Sequence, residues 1–86
     1  MTRLRCAREE LLIPAVDAGG LEEIRITQIA ADTYVLSIKI KTKREWTYLA
    51  TRRNPGEPRQ FKRIEAAVAV GNKLFKAKRF TVALHS

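Results

Sequence analysis

Three groups of cations are spaced as if to meet phosphate. Lys39, Lys41 and Lys43 alternate and run into Arg44; Arg52 and Arg53 follow; Arg59, Lys62 and Arg63 come after a Pro/Gly stretch. Side chains two residues apart on a strand share a face, so the lysines would form a row, and Arg25 would join it from a neighbouring strand. Such a row neutralises phosphates and releases the counterions condensed on a nucleic acid. Cations just ahead of a helix act together with its free backbone N–H groups and the positive end of its dipole. Trp46 and Tyr48 also alternate. On an exposed face they would stack the bases of a single strand. On a buried face they are core, the common fate of one tryptophan in a small domain. The expectation adopted is that Trp46 is mostly buried. Alternating lysines equally suit a sheet face that meets only water.

Other chemistries lack their parts. Metal coordination needs clustered ligands, and the chain has one histidine, His85, and one cysteine, Cys6. Gly19-Gly20 is an isolated pair, which reads as a helix stop rather than a phosphate cradle. Glu9-Glu10 and Glu22-Glu23 are adjacent carboxylates of the kind found on solvated surface. No catalytic residue, metal or cofactor is expected, and the chain reads as non-enzymatic.

The charge is unevenly placed. The net is +8 over 86 residues. Residues 1–38 carry four basic and six acidic groups, whereas residues 39–86 carry thirteen basic and three acidic. A half-chain at +10 points to a polyanionic partner. A single thiol forms no internal disulfide, which suits a reducing compartment. Glu9 and Glu10 interrupt the stretch where a signal peptide would place its apolar run, and no apolar run is long enough for a membrane span. A cytoplasmic, soluble domain that binds no membrane is expected, with its oligomeric state open.

These residues need elements to hold them. The reading is one α+β domain over residues 1–86, with an N-terminal helical segment at 1–20 and a sheet with a helix over 21–84. Thr2–Leu12 suits a short amphipathic helix capped by Thr2, with Leu4, Cys6/Ala7 and Leu11 on one side, and Pro14 either interrupts it or opens a second short turn. The period then becomes two. Leu21–Ile29 places Ile24 and Ile26 opposite Arg25 and Thr27. Tyr34–Lys43 places Tyr34, Leu36, Ile38 and Ile40 opposite Val35, Ser37 and the lysines. Trp46–Arg53 is a third strand, and Asn54-Pro55-Gly56-Glu57-Pro58 is a loop. Arg63–Phe75 carries an apolar stripe of Ile64, Ala67, Val68, Gly71, Leu74 and Phe75 at helical spacing. Gly71 is unfavourable inside a helix unless the helix approaches the sheet closely there. Arg79–Leu84 alternates again. The expected order is α-β-β-β-α-β, an antiparallel sheet of three or four strands packed on the C-terminal helix.

The run Glu45-Trp46-Thr47-Tyr48-Leu49-Ala50-Thr51-Arg52-Arg53, a Pro/Gly loop, and Arg59-Gln60-Phe61-Lys62-Arg63-Ile64-Glu65-Ala66-Ala67 resembles the arm-type DNA-binding domain of tyrosine recombinases. The likeness spans residues 21–76. It implies a three-stranded sheet that enters the major groove, followed by a helix. The same stretch is similar to small accessory proteins of plasmids and other mobile elements. The element order also resembles double-stranded-RNA-binding domains, where only Lys62 and Arg63 match the basic helix start; RNA therefore ranks behind duplex DNA. The expected function is non-enzymatic binding of duplex DNA through a basic sheet face and a helix N-terminus. Lysines and arginines would hold phosphates, and one or two arginines would read guanine edges. The rival is a protein-interaction module, an accessory or inhibitory subunit for an acidic protein.

Overall fold

The structure, a computed structural model, describes residues 5–43 and 45–84. Arg44, Thr2, Leu4 and His85 lie outside the described residues. The elements run β1 (Cys6–Ala7), α1 (Glu9–Gly19), β2 (Leu21–Ala30), β3 (Thr33–Ile40), β4 (Trp46–Leu49), β5 (Gln60–Phe61), α2 (Ile64–Phe75) and β6 (Thr81–Ala83).

The longest pairing is the β2–β3 hairpin, closed by Ala31-Asp32. It opposes Ile24 with Ile38 and Ile26 with Leu36. All four are buried, as period-two alternation requires when one face is covered. On the other edge of β3, β4 pairs Thr47 with Ile38, and β5 pairs Phe61 with Tyr34. β4 and β5 thus lie in line along one edge, like a single strand with a loop let into it. An Ala50–Pro58 bridge closes the neck of that loop.

The sheet is mixed, not antiparallel. β1 pairs with β4 in parallel and β6 pairs with β2 in parallel, in the order β1-β4-β3-β2-β6. It follows that β3 runs opposite to all five other strands. Parallel strands require crossovers, and the helices supply them. α1 carries the chain from β1 to β2, and α2 carries it from β5 to β6. Each crossover spans the sheet, and both helices pack on one face. Leu12 and Val16 of α1 join Ala67 and Phe75 of α2 over Ile24, Ile26, Leu36, Ile38 and Ile40 in one core. The sheet is therefore backed by two helices rather than by the C-terminal one alone.

The N-terminal expectation is corrected. Cys6 and Ala7 form a strand because Tyr48 and Leu49 offer them a free ladder edge. The helix begins only at Glu9 and runs through Pro14, which is exposed; Leu11 is 67% exposed and off the apolar face. Pro14 removes one helical hydrogen bond, but the burial of Leu12 and Val16 holds the helix across it. Gly20 ends α1 at φ 81°, a conformation that glycine alone adopts cheaply, and its N–H donates to the Val16 carbonyl.

Gly71 has the reason that the sequence suggested. A Cβ there would lie 2.5 Å from Phe80 Cε2 and 3.0 Å from Ile24 Cδ1. Gly71→Ala adds about 1 kcal/mol of helix propensity but overpacks this contact by about 1–3 kcal/mol. Chemical denaturation should show a net loss of about 1 kcal/mol; a gain would mean that the helix stands off the sheet. Lys76 caps α2 in the left-handed region at φ 55°. Lys76→Gly relieves that strain and should raise stability by about 0.5–1 kcal/mol in the same assay.

Candidate nucleic-acid interface

The helix-free face of the sheet is built by register. Direct cross-strand partners share a face, so Arg25, Ser37 and Tyr48 stand together, as do Glu23, Lys39 and Trp46. Cys6 pairs with Tyr48 at the edge, and Gln60 pairs with Val35. Trp46 and Tyr48 are half-buried here and take no part in the core under the helices. This corrects the expectation that Trp46 is core. Leu49, the neighbour of alternate parity, is the β4 residue under the helices, at 2% exposure.

The Arg25 side chain reaches over β3, and its guanidinium carbon lies 4.2 Å from the centre of the Trp46 ring. Ser37, between the two strands, is small enough to be bridged and is fully buried. A cation over an indole face is attracted by the ring quadrupole. Arg25 Nε and Thr27 Oγ1 are buried without a hydrogen-bond partner among the described residues. Val35 is also buried, at 2% exposure. The side expected to be wet is thus partly roofed by its own long side chains.

The lysine row is broken. β3 ends at Ile40, so Lys41 and Lys43 belong to the following connection, where both are exposed. Lys39 remains on the strand, but Glu22 Oε2 takes its ammonium at 3.3 Å. Glu22 reaches it because a β-bulge lies between Leu21 and Glu23. Glu23 accepts a hydrogen bond from Thr81.

The second cation group survives and changes setting. Arg52 and Arg53 leave the strand, since β4 stops at Leu49, and enter the loop. Thr51 and Asn54 stabilise that loop through Thr51 Oγ1, which donates to the Asn54 carbonyl and accepts from the Asn54 N–H. Arg52 pairs with Glu9 at 3.1 Å. Arg59 stands over the Phe61 ring at 5.1 Å. Lys62 and Arg63 precede α2, whose cap residue Arg63 offers no side-chain acceptor to its first N–H groups. Arg52, Arg53, Arg59, Lys62 and Arg63 are all exposed.

Further cations enter from places without strand periodicity. Arg8, Arg52, Arg59 and Lys73 rim a cleft of about 530 Å³ floored by Leu49, Ala50, Val70 and Leu74, with Glu9 and Glu10 on the same rim. Lys76, Lys78 and Arg79 are exposed beyond the end of α2. Their clustering was visible in the charge count. Among the described residues, no group of three or more histidines, cysteines and carboxylates could hold a metal ion, and no helix is long and apolar enough to cross a membrane. Comparison with protein-family models, with curated proteins and with solved structures gave no match.

Burial pushes the Cys6 thiol above its ordinary range, because the thiolate loses hydration at the sheet edge. Alkylation at mild alkaline pH should therefore be slower in the folded chain than in denaturant, and the folded rate should keep rising at a pH where the free thiol has levelled off. Equal rates in both states would show an open edge at β1.

Proposed function

We propose that the chain binds duplex DNA without catalysing a reaction, and that the loop-to-helix cations Arg53, Arg59, Lys62 and Arg63 are its main phosphate contacts. One observation carries this. The ion pairs of the described residues take up Arg5, Lys39 and Arg52, and no described carboxylate pairs with those four. Exposed cations outside ion pairs have the most to gain from a polyanion, since no internal salt bridge must be given up. The uncapped N–H groups at the start of α2 add donors at the same place. Lys41 and Lys43 support the contact from the β3–β4 connection, whereas Lys39 is engaged with Glu22. An accessory role in a mobile element fits the resemblance and stays part of this reading.

With about four to six phosphates neutralised, log K against log[salt] should fall with a slope of about −4 to −5 in fluorescence anisotropy with duplex DNA. Lys62→Glu with Arg63→Glu should weaken binding at least tenfold and flatten that slope, with circular dichroism unchanged. Lys39→Glu should change affinity far less. The reverse ranking would return the role to the strand, and a lack of binding at low salt would favour an acidic protein as the partner.

A further inference from the structure

The helix-free face holds a feature that duplex binding leaves unused. Trp46 and Tyr48 stand two residues apart on β4, and no helix of the described residues covers them. Aromatic rings on an open sheet face are the surfaces on which unpaired bases stack. One side of Trp46 is occupied, however, by the Arg25 guanidinium at 4.2 Å. Arg25 has no carboxylate partner among the described residues, and its buried Nε has no acceptor among them.

We infer that the Arg25–Trp46 stack is a place-holder for a base of single-stranded nucleic acid: the base takes the guanidinium's position over Trp46, and Arg25 turns onto a flanking phosphate. This rests on the reading of the chain as a nucleic-acid binder and adds the form of strand that the second face takes. The exchange is downhill on general grounds. A cation–π contact at a partly exposed site is weaker than the stacking of a base on the same ring. The displaced guanidinium exchanges that contact for charge-assisted bonds to phosphate, and its Nε gains an acceptor. Unpaired charge favours this occupant over an apolar one. Arg25, without a described carboxylate partner, stands on the face, and Lys41 and Lys43 are exposed where β3 ends, whereas Lys39 is engaged by Glu22. Ser37 matters because a larger residue under the Arg25 side chain would hold the guanidinium off the ring; it is fully buried where it is crossed. Tyr48, beside Ser37 in the register, offers the next ring for a following base.

Trp46 is the only tryptophan, so its emission reports on this site alone. The full chain is titrated with four probes: oligothymidine of about ten nucleotides, oligouridine of the same length, an abasic sugar–phosphate strand of equal charge, and a DNA duplex. The expected result is that a base-bearing strand binds about tenfold tighter than the abasic strand. It quenches Trp46, whereas the abasic strand and the duplex leave the emission unchanged. A preference between oligothymidine and oligouridine assigns the face to DNA or RNA. Arg25→Ala should lower strand affinity severalfold through the lost phosphate contact, and Trp46→Ala should erase the advantage of base-bearing over abasic strands. Duplex binding with equal affinity for base-bearing and abasic strands and no quenching would overturn this inference and leave the duplex reading intact. Failure of every probe to bind at low salt would overturn both. Unchanged affinity in a folded Arg25→Ala variant would overturn the exchange itself.

Discussion

The structure depends on β3 being satisfied along both edges and on one whole face. Its backbone pairs with β2 on one side and with β4 and then β5 on the other. Leu36, Ile38 and Ile40 then meet residues of both helices in one core. In a chain of 86 residues, burial of apolar surface is limited, and no disulfide supplements it. The central strand must therefore organise nearly all of that burial. Because β3 runs against every other strand, each helix crosses above it, and the two crossovers deliver their apolar stripes to the same place.

That arrangement leaves the two faces of the sheet with different physics. The covered face is filled by apolar side chains, aliphatic with Phe61 and Phe75, from strands and both helices. The uncovered face also buries Val35 and Ser37, the latter where the Arg25 side chain crosses to the Trp46 ring. A guanidinium over an indole does there what a leucine does on the other side. The cations divide along the same line. Those close to carboxylates hold elements together: Arg5 pairs with Glu45, Arg52 ties the loop to the start of α1, and Lys39 ties β3 to the bulge of β2. Arg25 lies over Trp46, and Arg53, Arg59, Lys62 and Arg63 are exposed without a described carboxylate partner.

Much of this was legible in the residues themselves. Ile24 and Ile26 against Arg25 and Thr27, and Leu36, Ile38 and Ile40 against Val35 and Ser37, set the faces of β2 and β3. Ala67, Gly71 and Phe75 set the buried side of α2, and the space around Gly71 explained its presence. β1 and β5 were not legible, because two-residue strands have no period and exist only where a ladder edge is free. Their neighbours decided the mixed character of the sheet. The lysine row is shorter than its alternation suggests, because the alternation continues in the sequence through Lys43 while the ladder stops at Ile40. A general preference for burying large rings favours a core Trp46, but the ring lies outside the core under the helices. The register of the hairpin would have corrected this: Trp46 opposite Lys39 forces both onto one face, and leaves Leu49 to the core.

The loop let into the β4–β5 edge has a consequence for variation. Its neck is fixed by the Ala50–Pro58 bridge, by the Arg59 N–H donating to the Leu49 carbonyl, and by the Thr51 N–H donating to the Glu57 carbonyl. Everything between those anchors projects from a sheet already complete without it. The entropy of closing such a loop grows only slowly with its length, by about 0.6 kcal/mol for each doubling. Residues 52–56 can thus lengthen or shorten while Trp46 on β4 and Phe61 on β5 keep their pairing with β3. The scaffold separates a fixed neck from a tip whose length is free to vary, and it places Arg52 and Arg53 on that tip.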